Sequence, residues 1–312
     1  MRRWHKRKIR SQACIASRRM TANVNLGKNG STSLFVTTLL LLLPLYPHGG
    51  CWAQAPASGA PSPISLIEEV ARVQIAMLNR EGWYLRYRTH RVDDKNDVVR
   101  DVMETPDGSV ARLVLRDGHP LSRDEDTAER SRLKGITKNS LQKKRKQESS
   151  GQSLATDLIG AMPKAMVYSY APGQPQSSSG AHDEIVLDYK PNPTFHPTST
   201  PQEGLTGLEG RIWIDGRDHH LIRMDGRIIR NVNLAWGLVA RIYPGGTIQM
   251  TQAKIGEGRF AYESLTVDLT IRELLVRTVH MKSMMRADNF QVLSRTLSSD
   301  EAIRTLLDTP LP

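Results

Sequence analysis

The feature that most constrains the fold is the long stretch from Gly207 to Leu275. Segments rich in Ile, Val, Leu, Trp and Thr alternate there with short turns made of Gly, Asp and Pro-Gly-Gly. This alternation is typical of antiparallel strands joined by tight turns, because Gly, Asp and Pro tolerate the backbone angles that such turns require. No recognisable catalytic motif lies in the stretch. It therefore predicts a β-rich core and leaves activity open.

Ahead of this stretch the sequence predicts an amphipathic helix followed by three antiparallel strands. The sequence SLIE at residues 65–68 has the form of a capping box, and apolar residues then recur at helical spacing until Gly82. Alternation at period two predicts strands at 83–92, 98–104 and 110–116. Together these patterns predict an α+β fold with one large, curved antiparallel sheet, a half-open barrel, and helices on one face.

A charged segment at residues 121–150 interrupts the strands. It begins with a second capping box at Ser122 and carries few large apolar residues, so its helix is expected to be solvated or partly disordered. The basic run 143–146 is interpreted as the solvated tip of this segment, with an anionic lipid or nucleic-acid site as the alternative. A separate short helix is expected over residues 154–162, ended by Pro163.

Two strands within the opening stretch differ in their apolar pattern. Residues 231–243 are apolar on both faces in their middle, which indicates burial on both sides, or one face toward a core and one toward a ligand. A later strand alternates cleanly and is predicted to be half-buried, with an apolar face formed by Leu265, Val267, Leu269 and Ile271. A third capping box, at Ser298, predicts a short final helix.

Residues 1–53 have the pattern of a secretory signal region. Basic residues precede an uncharged apolar run at 33–46, and small residues around Ala53 suit cleavage. The run is too short to span a bilayer comfortably, although an uncleaved anchor is the alternative. A start at Met20 would give a leader of ordinary length. We therefore predict a periplasmic or envelope protein with a linker at 54–63 and a single α+β domain at 64–312, the charged segment being an insertion in it.

The net charge of +11 arises almost entirely from the signal region. Residues 1–53 carry nine Lys or Arg and no acidic residue, so residues 54–312 hold 34 basic and 32 acidic side chains. A nucleic-acid partner is therefore not expected. Both cysteines also lie in residues 1–53, which excludes thiol chemistry in a mature chain. The residues before Cys51 match a lipoprotein signal poorly, so lipidation is not expected.

The sequence shows no motif for catalysis, a metal or a cofactor. His219 and His220 lie beside Asp215 and Asp218, but neighbouring strand residues point to opposite faces and no third ligand stands at a diagnostic spacing. No phosphate-binding loop, nucleophile elbow or zinc motif occurs. No enzyme activity, metal or cofactor is therefore predicted, and a hydrolase whose site is invisible in sequence is kept as a further hypothesis.

The chain resembles the outer-membrane lipoprotein-sorting carriers of the Lol type. A secretory leader, an amphipathic helix and a large antiparallel sheet carry the architectural resemblance, over about Leu66 to Phe290. The segment GLEGRIWIDGRDHHLIRMDG, followed by NVNLAWGLVARI, is similar to bacterial envelope proteins that are often placed beside these carriers. This motif is confined to about Gly207–Arg241. The charged insertion at 121–150 departs from the carriers, and their acyl-pocket residues cannot be matched here position by position.

The resemblance implies a half-open barrel whose concave face holds acyl chains without any catalytic residue. One sixteen-carbon chain would offer on the order of 12 kcal/mol before ordering costs, at about 0.8 kcal/mol per buried CH₂. The first hypothesis is a periplasmic, non-enzymatic carrier of lipid or lipoprotein acyl chains, peripheral to the membrane or not anchored. The alternative is an envelope protein-interaction or sensor module without a ligand cavity. The candidate cavity residues are Trp213, Trp236, Leu265, Val267, Leu269 and Ile271, although the tryptophans would equally suit core packing.

Overall fold

The computed structural model describes residues 61–80, 82–174, 184–235, 237–256, 258–273 and 276–311. The predicted signal region with Met20 and Cys51, most of the predicted linker, and Trp236 lie outside the described residues. Within them, thirteen strands form one antiparallel sheet that does not close into a barrel. The predicted α+β class with a large, curved antiparallel sheet is confirmed.

The thirteen strands of the described chain are numbered in sequence order. They are β1 (Leu85–Asp93), β2 (Asn96–Met103), β3 (Val110–Arg116), β4 (His119–Pro120), β5 (Met166–Tyr170), β6 (Glu184–Pro191), β7 (Leu208–Asp215), β8 (Leu221–Ile228), β9 (Val232–Leu234), β10 (Ala240–Ile242), β11 (Thr247–Gly256), β12 (Arg259–Glu273) and β13 (Arg277–Val292). Their spatial order is β4-β3-β2-β1-β13-β12-β11-β8-β7-β6-β5, and β10 pairs with β12 and β9. The last strand therefore joins β1–β4 to the rest of the sheet.

Two pairs of helices pack against different parts of this sheet. The helices are α1 (Pro63–Leu78), α2 (Arg123–Lys134), α3 (Lys138–Ala165), α4 (Thr200–Glu203) and α5 (Ser299–Asp308), and a 3₁₀ turn covers Gly204–Gly207. The helices α1 and α3 pack on each other and on β5, on the concave face of the sheet. The helices α2 and α5 pack around the end of the sheet that β2 and β3 form.

The first helix begins earlier than the sequence predicts. Ser62 is the N-cap residue, and its hydroxyl accepts a hydrogen bond from the Ser65 backbone N–H at 3.2 Å. The capping box predicted at residues 65–68 is therefore wrong. Pro63 stands in the first turn, where its missing N–H has no helical partner to lose. The helix ends at Leu78, before Gly82.

The charged insertion is more ordered than predicted. The helix α3 runs without a break for 28 residues, so the expected separate helix at 154–162 is wrong and Pro163 lies inside the last turn. Leu133 and Leu141 are buried in a second core with α5, β2 and β3. In the basic run, Lys144 is half-buried, and its Nζ donates a hydrogen bond to the Ser109 carbonyl oxygen at 2.6 Å. The insertion is therefore part of the folded domain.

The segment predicted to be apolar on both faces is a small hairpin. Its strands β9 and β10 pair with each other, and β10 also pairs with the end of β12. Val232 and Ala240 face inward and are buried, whereas Leu238 and Val239 lie exposed in the connecting loop. The apparent second apolar face therefore belongs to the loop, and only one face of the hairpin meets the core.

The chain from Gln54 onward forms one compact unit with cores of its own. The main core lies between α1, the second half of α3 and strands β5–β8, with Leu269 of β12. The second core joins α2, the first half of α3 and α5 to β2 and β3. Every residue of both cores lies between residues 66 and 307.

Candidate functional site: an apolar cavity

A cavity of about 400 Å³ lies between the helices α1 and α3 and the concave face of the sheet. Its walls come from the helices α1, α3 and α4, the 3₁₀ turn and six strands that are far apart in the sequence. The described side chains around it are almost all aliphatic or methionine, and among them only Gln74 and Tyr262 are polar. An unfilled apolar space of this size is unusual, because protein interiors are normally packed to the density of organic crystals.

The helical walls follow from the spacing of apolar residues. Residues three and four positions apart share one side of a helix, so a stripe at that spacing faces a single neighbour. The stripe of α1 contributes Ile67, Val70, Ala71 and Gln74. The stripe of α3 has the same spacing and contributes Ala155, Leu158, Ile159 and Met162.

The sheet wall follows from alternation. Every second side chain of a strand points to the same face, so strands that cover a core present one apolar row each. Four strands of the described sheet contribute such pairs to the cavity, namely Leu208 and Ile212, Met224 and Ile228, Ile248 and Met250, and Leu265 and Leu269. The inward residue Ile242 of β10 completes this wall.

The six predicted cavity residues divide into four groups. Leu265 and Leu269 line the cavity. Val267 and Ile271 share their face and pack against the main core beside it. Trp213 does not line the cavity: its neighbours Ile212 and Ile214 are buried, so Trp213 faces the other side of the sheet, where Arg223 stacks on its ring at 4.6 Å. Trp213 is therefore removed from the candidate set. The sixth, Trp236, lies outside the described residues.

The polar end of the cavity was not predicted. Gln74 lines the cavity and accepts a hydrogen bond from Gln252 Nε2 at 2.7 Å, while its own Nε2 lies 3.4 Å from His220 Nδ1. The His220 ring stacks on Phe260 with a centroid distance of 4.0 Å. Burial lowers the pKa of His220, which favours a neutral imidazole. The cluster is therefore buried and uncharged, and the only sequence signal for it was a glutamine within an apolar helical stripe.

The mouth of the cavity is marked by Leu265, which remains 36% exposed. The paired residue on β13 is Met285, and Leu269 pairs with Met281 in the same way. Paired residues on neighbouring strands point to the same face. Met281 and Met285 are both exposed, so the apolar lining continues from the cavity onto the open part of the concave face.

Other depressions in the described structure carry charged side chains. A groove of about 680 Å³ on the opposite face of the sheet carries ion pairs such as Arg211–Asp188 and Arg227–Glu209. A cleft of about 940 Å³ between α3 and β1 contains Glu104, which accepts hydrogen bonds from Arg80. The charged groups named in both are already paired. No group of three or more His, Cys, Asp or Glu that could hold a metal occurs in the described ranges.

The fold and the cavity define a class: an α+β protein with a ligand-sized apolar chamber between two helices and a curved sheet. Comparison of the chain with protein-family models, with curated proteins and with solved structures gives no match. The resemblance to Lol-type carriers therefore stays a prediction. None of the helices within the described residues is long and apolar enough to cross a membrane.

Proposed function

We propose that this protein binds the acyl chains of a lipid or lipoprotein in the cavity between α1, α3 and the sheet. The observation that carries the proposal is the lining of the cavity, where Gln74 and Tyr262 are the only polar side chains among the residues that the structure describes. The volume of about 400 Å³ falls within the range typical of small-molecule sites. No charged side chain of the described residues lines the cavity, so the buried part of the ligand is apolar.

Flexible apolar side chains favour an acyl chain over a rigid ring system. Met162, Met166, Met224 and Met250 all line the cavity. Methionine has three rotatable side-chain bonds and adapts to irregular apolar shapes, which suits a chain that bends. The exposed Met281 and Met285 beside the mouth extend the same surface, so a chain longer than the cavity would still lie on apolar side chains.

The proposed role is that of a carrier or binder in the periplasm or cell envelope, without catalysis. The location rests on the signal-like pattern of residues 1–53. The alternative role, an interaction or sensor module on the same fold, was expected to have a filled core. That alternative role gives the cavity no function.

Mass spectrometry of co-purifying lipids tests the proposal directly. The protein is purified from the periplasmic fraction without detergent and extracted with organic solvent. We expect acyl lipids in the extract and, after delipidation, uptake of a fluorescent fatty acid at micromolar concentration. A protein that carries no lipid and takes up no probe would contradict the proposal.

A cavity-filling variant ties probe uptake to this cavity. Ala155 lines the cavity from α3, and the change Ala155→Phe would occupy part of its volume. We expect at least a ten-fold loss of probe affinity, since about 1.4 kcal/mol of lost apolar contact is enough for that factor. The matched control is Ala128→Phe on the exposed surface of α2, which should bind the probe like the parent. Equal affinity of the two variants would place the probe elsewhere.

A further inference from the structure

Two neighbouring loops carry the three most exposed large apolar side chains of the described chain. Leu238 is 60% exposed, Val239 is 48% exposed and Val276 is 87% exposed. We call these three residues the apolar tips. Ala240 pairs with Glu273, so the loop before β10 and the loop after β12 extend beyond the same end of the sheet. The apolar tips therefore form one protruding feature.

Behind the apolar tips lies a pair of arginines without a counter-charge. Arg241 of β10 and Arg272 of β12 stand directly opposite each other in the ladder. Like charges in that position are destabilising. Several other arginines of the described sheet do face a carboxylate, as Arg88 faces Asp101 and Arg227 faces Glu209. Neither arginine of the pair makes an ion pair with a described carboxylate, and Arg272 Nε is buried without a hydrogen-bond partner.

We propose that the apolar tips and the Arg241–Arg272 pair form a docking surface for an anionic phospholipid membrane. Apolar side chains at loop tips can enter the boundary between headgroups and acyl chains, while basic residues behind them attract anionic headgroups. A phosphate bound at the accessible ends of the two guanidinium groups would relieve their repulsion. Arg277 at the same end is also exposed, and it stands opposite the exposed Glu273.

The shape of the surface favours a membrane over a protein partner. A stable protein interface buries about 800 Å² on each side, with complementary shape. Three side chains on two narrow loops offer much less flat area than that. A bilayer needs no matching shape, because its headgroup region moulds itself around an inserted side chain. The docking surface does not depend on what the cavity binds.

Vesicle flotation tests the docking surface. The protein used is the chain from Gln54 onward, which forms a compact unit with its own cores, so that the apolar run at 33–46 does not contribute. Vesicles of phosphatidylcholine alone are compared with vesicles in which about a third of the lipid is phosphatidylglycerol. We expect clear binding to the anionic vesicles only, and loss of that binding as salt rises toward about 0.5 M, because exposed charges are screened.

Two double variants separate the two parts of the surface. The double variant Arg241→Gln, Arg272→Gln should have a partition coefficient for anionic vesicles that is about 30-fold lower. This is the typical effect of removing two basic residues that lie close to an anionic membrane surface. Leu238→Ser with Val276→Ser should lower the partition by at least five-fold, because inserted apolar area is lost. Leu238 and Val276 are exposed and the two arginines are partly exposed, and circular dichroism melts identify any variant that fails to fold.

The chain provides matched controls for both changes. Lys143→Gln with Lys146→Gln removes the same charge from the exposed basic run of α3, and Val167→Ser removes an exposed apolar side chain from β5. Both controls should float like the parent. Failure of the parent to bind anionic vesicles would overturn the proposal. Salt-independent binding of the parent would overturn it too, and neither of these outcomes requires that the arginine variant folds. With a folded arginine variant, an equal loss of binding in the lysine control would also overturn it.

Discussion

Replacing Leu133 with alanine tests whether the charged insertion belongs to the folded core. The Leu133 side chain is 0% exposed and packs with Met103, Leu306 and Ala302 in the second core. A solvated insertion, as its composition suggested, would lose almost nothing by this change. The structure predicts a large loss, because the leucine fills space between three helices and two strands.

The magnitude follows from what the change removes. Leu→Ala deletes three carbon groups, or about 2.4 kcal/mol at about 0.8 kcal/mol each, and the unfilled cavity adds to that loss. We expect the free energy of unfolding to fall by about 3 kcal/mol. For a domain of this size, that corresponds to a drop of about 6–12 °C in Tm.

Urea denaturation followed by circular dichroism measures the loss. The same substitution at Leu154 is the matched control, since Leu154 lies on α3 but is 45% exposed. Leu154→Ala should lower the free energy of unfolding by less than about 1 kcal/mol. If Leu133→Ala costs no more than Leu154→Ala, then α2 is not packed against α5, and the second core is refuted.

Two further predictions concern the main core. A Cβ added at Gly226 would lie 2.8 Å from both Leu208 Cδ1 and Tyr189 Oη, which are buried side chains. Gly226→Ala should therefore lower the free energy of unfolding, measured by urea denaturation, by about 1–3 kcal/mol. An unchanged denaturation midpoint would contradict this packing. Because burial lowers the pKa of His220, the unfolded chain binds a proton more readily, so stability should fall as the pH drops below about 6.5. His220→Gln should reduce that fall, measured as Tm against pH, and an identical pH profile in the variant would count against a neutral His220.

Local signals in the sequence were sufficient to predict several elements of the structure. The capping boxes at Ser122 and Ser298 were predicted correctly, because each satisfies its backbone donors within one turn of helix. The half-buried strand from Leu265 to Ile271 was also predicted, since period-two alternation needs no knowledge of the partner strand. At Ser65 the same reasoning failed, because Ser62 and Pro63 offer a competing start three residues earlier.

Elements that depend on distant partners were predicted poorly. Leu133 and Leu141 are too sparse to define a buried face on their own, and the helix α5 that covers them follows more than 150 residues later. Trp213 was chosen as a cavity candidate because a large aromatic side chain can anchor a ligand, but its ring faces the other side of the sheet. Two flanking isoleucines fill the core there, and Arg223 on the neighbouring strand covers the indole ring.

The cavity itself could not be predicted from the sequence. Each lining stripe looks like an ordinary core stripe, because a side chain that faces an empty space has the same pattern as one that faces a neighbour. Only the distance between the two helices and the sheet decides between these cases. That distance is set by many side chains together, including the Gln74–Gln252 hydrogen bond that joins α1 to β11 at the polar end.

The strand β10 connects the two proposed sites. Neighbouring residues of a strand point to opposite faces, so Ile242 reaches the cavity while Arg241 faces Arg272 on the other side of the sheet. The loop that carries Leu238 ends directly before this strand. A membrane docked at the apolar tips would therefore lie near one wall of the cavity, which is where a lipid carrier needs it. The two proposals can be contradicted separately. Absence of flotation with normal probe uptake would contradict the docking surface alone, and normal flotation without probe uptake would contradict the cavity ligand alone.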